Sequence, residues 1–277
     1  MQLFKKRESL QQALQNRIDT LGFVPTMGAL HDGHLSLIKK ARAENDRVVV
    51  SIFVNPTQFD QANDLAKYPR NLEKDIELLE KLAPDLIIFA PTTEEIYGLQ
   101  VQSKSYNFKG LDLLMEGASR KGHFQGVATV VEKLFEIVGP QKAYFGEKDF
   151  QQLQIIQQMA AMQALPITIV SCPIVREADG LAMSSRNQRL STQARAEAPL
   201  LFQALNEAKT IFADHCSHDA IRHVEQLFGQ YPNANLDYFA ICDEKTLLPF
   251  DSKKHQKARG FIAAKWDDIR LIDTLSF

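Results

Sequence analysis

Five short runs that are apolar throughout, at 21–25, 47–54, 85–90, 142–145 and 167–175, alternate with helical patterns at 34–45, 71–82, 124–138 and 149–164. A strand with one face in water shows apolar residues at every second position. A run such as Val48-Val49-Val50-Ser51-Ile52-Phe53-Val54 needs cover on both faces instead. Helices that cross between parallel strands supply that cover. The pattern predicts an α/β chain built on a doubly wound, Rossmann-like parallel sheet. Past about residue 175 the order changes. Ser191 is placed to cap a long helix reaching Phe212, and His218–Tyr231 reads as another. Strand-like pieces then follow at 236–241, 260–266 and 269–272. Helices followed by neighbouring strands predict a second, smaller α+β domain, so the expected division is 1–175 and 176–277. The stretch Val101–Phe108 alternates enough to leave an edge hairpin and a loop both open. The lysine-rich stretch 251–259 reads as a mobile surface loop.

Composition narrows the partners. The 277 residues carry a formal charge of −2, without the basic excess that binding a nucleic-acid backbone requires. Cys172, Cys216 and Cys242 lie far apart, which argues against a disulfide framework and a zinc site. Lys5-Lys6-Arg7 is followed by Gln11, Gln12, Gln15, Asn16 and Arg17, too polar for the core of a signal peptide. No apolar run reaches the length of a membrane span. A cytoplasmic protein with neither membrane nor nucleic-acid partner is expected.

In open parallel sheets ligands bind beyond the carboxyl ends of the strands, and several polar clusters fall at such ends. After the first run come Pro25-Thr26-Met27-Gly28 and then His31-Asp32-Gly33-His34, which opens an amphipathic segment. A helix start carries unsatisfied N–H groups and a partial positive charge, so it attracts phosphate. Two imidazoles there donate hydrogen bonds without a fixed charge that would trap the product. After the second run comes Asn55-Pro56-Thr57-Gln58-Phe59, after the fourth Gly146-Glu147-Lys148-Asp149, and after the fifth Arg176–Gly180 with Met183-Ser184-Ser185-Arg186-Asn187. Taken singly, these are loop amides, an acidic cap and a solvated loop. Taken together, two histidines, a lysine, an arginine, two serines and an aspartate suit a nucleoside triphosphate with its divalent metal. No Gly-x-x-x-x-Gly-Lys-Ser/Thr loop, Gly-x-Gly-x-x-Gly turn or Gly-x-Ser-x-Gly elbow is present.

Six motifs in order resemble the pantoate–β-alanine ligases, members of the His-x-Gly-His nucleotidyltransferase superfamily. They are Phe23–His34, Phe53–Phe59, Lys67-Tyr68-Pro69-Arg70, Gly122–Val127, Phe145–Gln152 and Gly180–Asn187, and they cover most of residues 20–190. Asn63 departs from the pattern, standing where an acidic residue is expected. Beyond residue 190 no comparable motif appears.

The resemblance implies ATP-dependent condensation of pantoate with β-alanine through pantoyl adenylate, with ATP as substrate, Mg²⁺ as its metal and a homodimer as the assembly. It implies an ATP site drawn from Met27, Gly28, Ala29, Leu30, His31, Asp32, Gly33, His34, Gly146, Glu147, Lys148, Asp149, Val175, Met183, Ser184, Ser185 and Arg186. Within that set His31 and His34 would bond phosphate oxygens, His34 as donor to the developing charge. Lys148, Ser184, Ser185 and Arg186 would hold the phosphates and the departing pyrophosphate, Asp149 the Mg²⁺, and the Val175 backbone with Gly146 the adenine. Gln58 and Gln152 would grip pantoate, with Pro25, Met27 and Phe59 as an apolar wall. Asn55 is expected to orient Gln58, and Arg120 and His123 to border the pantoate pocket. Two other readings compete. One is a nucleotidyltransferase of the same superfamily that stops at the nucleotidyl product. The other is a non-catalytic nucleotide-binding module.

Overall fold

The computed structural model describes residues 1–15, 19–252 and 257–277, and the chain forms two compact units. The first comprises Met1–Gly146 with Gln152–Cys172, the second Glu147–Gln151 with Pro173–Phe277.

The first unit is built on strands β1 (Gln2–Phe4), β2 (Leu21–Thr26), β3 (Arg47–Ile52), β4 (Ile87–Phe89), β5 (Lys142–Gly146) and β6 (Thr168–Cys172). All pairings are parallel, in the order β1-β4-β3-β2-β5-β6. Helices α1 (Arg7–Ala13), α2 (Asp32–Glu44), α3 (Ala62–Lys67), α4 (Leu72–Leu82), α5 (Thr93–Tyr97), α6 (Met115–Ser119), α7 (His123–Val138) and α8 (Phe150–Met162) connect them. Five of the six strands lie where the continuous apolar runs predict. Phe23, Val24, Val49 and Val50 are fully buried, neighbours on each strand pointing to opposite faces, as two-sided cover requires. Chain order reverses across the β2–β5 pair, a switch point where a parallel sheet opens a crevice for ligands. The loop bearing His31 and His34 leaves β2 at that point.

Strand β1 and the short helices α1, α3, α5 and α6 of this unit lie outside the sequence reading. Strand β1 has three residues, too few to show a period, and is fixed by pairing with β4. Helix α1 follows it. The open choice over Val101–Phe108 resolves to irregular backbone. Its alternation is real, since Tyr106 and Phe108 are buried and stack at 5.5 Å, but its partner is helix α7. Glu132 of α7 accepts from Lys104 Nζ at 2.6 Å and from Tyr106 OH at 2.7 Å.

The second unit carries α9 (Thr192–Glu197), α10 (Leu200–Asp214), α11 (Ser217–Phe228) and the antiparallel strands β7 (Ala234–Asp243), β8 (Ala258–Trp266) and β9 (Ile269–Ser276). Leu201, Leu205, Val224, Ile262, Trp266 and Leu271 belong to its core. The expected helix from Ser191 to Phe212 is two helices. Ser191 Oγ does cap, accepting from Ala194 N at 3.2 Å, but α9 ends before Pro199. Proline has no N–H to continue the ladder, so the chain turns once and restarts as α10. The expected loop at 251–259 is shorter than the composition implies: Ala258 and Arg259 are buried in β8, and 253–256 lie outside the described residues.

Candidate active site

In the first unit the site grows from the turn after β2. Thr26 Oγ1 donates to Ser51 O at 2.7 Å and accepts Gly28 N–H at 3.1 Å. Gly28 and Ala29 both adopt left-handed backbone, with φ of 79° and 50°. The buried Asp75 of α4 receives the next two amides, Ala29 N at 2.9 Å and Leu30 N at 2.8 Å. His31 then caps α2: its Nδ1 accepts Gly33 N–H at 3.2 Å. An accepting Nδ1 places the ring proton on Nε2, which makes Nε2 the donor. The rings of His31 and His34 lie 4.0 Å apart, tilted by 42°. The local result is two imidazoles at the positive end of a 13-residue helix.

Gln58 sits in the turn after β3. Its Oε1 accepts from Asn55 Nδ2 at 3.1 Å, and its Nε2 lies 3.3 Å from Met27 Sδ. Its carbonyl oxygen is bonded by His123 Nδ1 at 2.7 Å and by Arg120 at 3.3 Å. Helix α7 comes so close that a Cβ on Gly126 would stand 2.3 Å from Thr57 O. A cavity of about 560 Å³ opens at the ends of β2 and β3, with Met27, Gly28, Pro56, Arg70 and Asp75 in its lining.

In the second unit Glu147–Asp149 form a single 3₁₀ turn, with Lys148 Nζ 3.8 Å from Asp149 Oδ2. Arg259 backs that turn. Its guanidinium lies 3.9 Å from the centre of the Phe150 ring and pairs with Glu244 at 3.0 Å and Glu147 at 3.7 Å. The Met183–Asn187 segment leaves a tight hairpin in which Arg176 pairs with Ala182 and Met183 N donates to Val175 O at 3.0 Å. Arg176 holds the hairpin. It donates to both oxygens of the buried Asp273 and to Gly180 O at 3.0 Å, and it lies over the Phe202 ring at 3.8 Å. Ser184 caps the following turn by accepting Arg186 N–H at 3.3 Å, and Ser185 is buried.

The first unit thus holds Met27–His34, Gln58, Gly146 and Gln152, while the second holds Glu147, Lys148, Asp149, Val175 and Met183–Arg186. The family model described as Pantoate-beta-alanine ligase matches residues 2–276. The chain belongs to the pantoate-beta-alanine ligase family. It is 51% identical, over all of its length and 99% of the relative's, to the pantothenate synthetase of Christiangramia forsetii. The crystal structure of pantothenate synthetase from Thermus thermophilus superposes with a TM-score of 0.93 at 44% identity, covering 99% of each chain. A Francisella tularensis pantoate-beta-alanine ligase, solved in complex with beta-gamma ATP and beta-alanine, gives 0.78 at 33% identity over 99% of this chain and 97% of that one.

Four residues of this ligase-family chain escape a reading of its sequence: Asp75, Tyr97, Arg259 and Asp273. Asp75 shares the helical face of Leu72 and Leu79, three and four residues away, so the period places it inward without naming its partner. Asp273 left a similar signal. It shares the inward parity of Ile269 and Leu271 on β9, where a carboxylate demands a partner.

Proposed function

We propose that this chain condenses pantoate with β-alanine at the expense of ATP, releasing AMP and pyrophosphate. A pantoate carboxylate oxygen attacks the α-phosphorus while the bond to the pyrophosphate oxygen breaks, giving pantoyl adenylate. The β-alanine nitrogen then attacks the acyl carbon, loses a proton, and AMP departs with its phosphate oxygen. The observation that carries this reading is the His31–His34 pair at the start of α2, in a chain that matches its family from end to end.

Carboxylate oxygen is a poor leaving group, and adenylation replaces it with a phosphate ester. The first step gathers negative charge on the α-phosphoryl oxygens, so positioned donors lower the barrier. In this reading His34 and His31 Nε2–H donate to those oxygens, aided by the helix start. Lys148, Ser184, Ser185 and Arg186 neutralise the remaining phosphates, and the Val175 backbone and Gly146 read the adenine. Gln58 and Gln152 orient pantoate, with Met27 and Phe59 against its methyl groups.

Among the described residues no three His, Cys, Asp or Glu side chains gather to cage a cation. Asp149, 46% exposed, offers one carboxylate, which fits an ion taking its other ligands from triphosphate and water. Bound there, Mg²⁺ would cancel part of the charge that repels an incoming carboxylate. The reading extends to a cytoplasmic homodimer. No described helix is long and apolar enough to cross a membrane.

The test is AMP release with each substrate omitted in turn. AMP that requires both pantoate and β-alanine upholds the reading. AMP formed without β-alanine, or a nucleotidyl product that accumulates when pantoate and β-alanine are both present, overturns it.

A further inference from the structure

The turn from β2 into α2 is an unusual piece of backbone. Gly28 and Ala29 are successive left-handed residues, a region in which the Cβ of alanine is crowded by the following carbonyl. Gly28 admits no substitute, because a Cβ there would stand 2.8 Å from Asp75 Oδ2 and 3.0 Å from Ile52 Cγ2. Such a turn directs consecutive N–H groups to one side, the concavity that binds anions in phosphate sites. Here the anion is internal. Asp75 is 4% exposed and receives Ala29 N–H on one oxygen and Leu30 N–H on the other. The next residue, His31, begins the catalytic pair.

A carboxylate is an expensive choice for so buried a position. Burial pushes the Asp75 carboxyl up from its ordinary value, and the two amide bonds pull it only part of the way back. Packing alone would be served as well by a neutral side chain. What a carboxylate does better is accept two hydrogen bonds at once in a fixed plane.

We propose that Asp75 is a positioning residue for adenylation, clamping the Gly28-Ala29-Leu30 backbone so that His31 and His34 meet the phosphate in one geometry. The proposal rests on the function inferred above. Asp75 touches no reacting atom. It acts through Leu30, whose side chain is buried in the core beneath α2.

The test compares Asp75→Asn with Asp75→Ala. Asparagine keeps the shape but has one acceptor oxygen, so one of the two amides loses its charged partner. The kcat for AMP formation should fall about 10- to 100-fold, with the KM for pantoate little changed. Asp75→Ala should fall about a further tenfold, because both acceptors are gone. Because the asparagine variant leaves one buried amide without an acceptor, kcat is read at a temperature where circular dichroism shows parent and variant fully folded. Amide exchange should quicken at Ala29 and Leu30 and stay unchanged elsewhere in the sheet. Parental kcat in Asp75→Asn, activity lost only in step with the folded fraction, or unaltered exchange at these two amides would each overturn the proposal. A parent chain that forms no AMP overturns the inferred function instead, and the exchange result still judges the clamp.

Discussion

Asn55 Nδ2 donates to Gln58 Oε1 across 3.1 Å, which turns the Gln58 amide so that its NH₂ faces Met27 Sδ at 3.3 Å. Asn55 is 1% exposed and is itself held, its Oδ1 accepting from Tyr97 OH at 2.5 Å and from Thr57 Oγ1 at 3.1 Å. The orientation of the Gln58 amide, proposed above to grip pantoate, therefore descends from a tyrosine at the end of a five-residue helix. Asn55→Ala frees that amide to rotate. The KM for pantoate should rise about tenfold while that for ATP stays within about twofold, the share of one neutral hydrogen bond. Gln58→Ala should raise it further, and equal effects on both substrates would contradict the assignment.

His34→Ala removes the imidazole proposed to donate to developing phosphoryl charge. Adenylate formation should drop by about two to four orders of magnitude with an unchanged circular dichroism spectrum. Turnover near that of the parent would take His34 out of the reaction. His31→Asn offers a complementary reading, because asparagine also caps helices. It should preserve the melting temperature and still slow the adenylation step.

Gly126→Ala tests the close approach of α7 to the Gln58 turn. The added methyl would press on Thr57 O, 2.3 Å away, so either the helix or the turn must shift. Overpacking of this kind costs about 1–3 kcal/mol. The loss should appear in chemical denaturation together with a higher KM for pantoate, and a variant with parental values in both would show that the contact relaxes freely.

Arg176→Met leaves Asp273 buried without its cation. Removing one partner of a buried pair costs about 3–5 kcal/mol. The double variant Arg176→Met/Asp273→Asn should recover much of that loss, as measured by urea unfolding. If the single and double variants unfold at the same urea concentration, the pair is not what holds the hairpin.

Thiol reactivity separates the three cysteines. Cys216 is exposed, whereas Cys172 and Cys242 are buried, and burial pushes the Cys242 thiol up to about 12. A thiolate-selective reagent at pH 8 should label one cysteine rapidly in the native chain and three after unfolding. Rapid labelling of Cys242 would show that β7 opens in the native state.

Legibility followed the range of the interaction concerned. The interior strands of the parallel sheet were readable because two-sided burial writes an apolar run into neighbouring residues. The cap at Ser191 was readable because its partner, Ala194, is three residues away. The break at Pro199 is equally local but is masked, because the apolar period continues across it into α10. Strand β1 was not readable, since three residues carry no period and its partner lies more than eighty residues downstream.

By itself the chain's order of residues determined the alternation of strands and helices, the glycine turn, and which loops carry histidine, lysine, serine and arginine. Each of these depends on neighbours a few positions apart. Only the tertiary structure decided what holds those loops: Asp75 beneath the Gly28–Leu30 turn, Tyr97 behind Asn55 and Gln58, Arg259 against Glu147, and Asp273 beneath Arg176. Apart from the short Asn55–Gln58 bond, those contacts join residues 42 to 112 positions apart. A charge becomes a structural clamp only when folding removes the water around it; a local period places Asp75 and Asp273 on inward faces but does not name the partners that hold them.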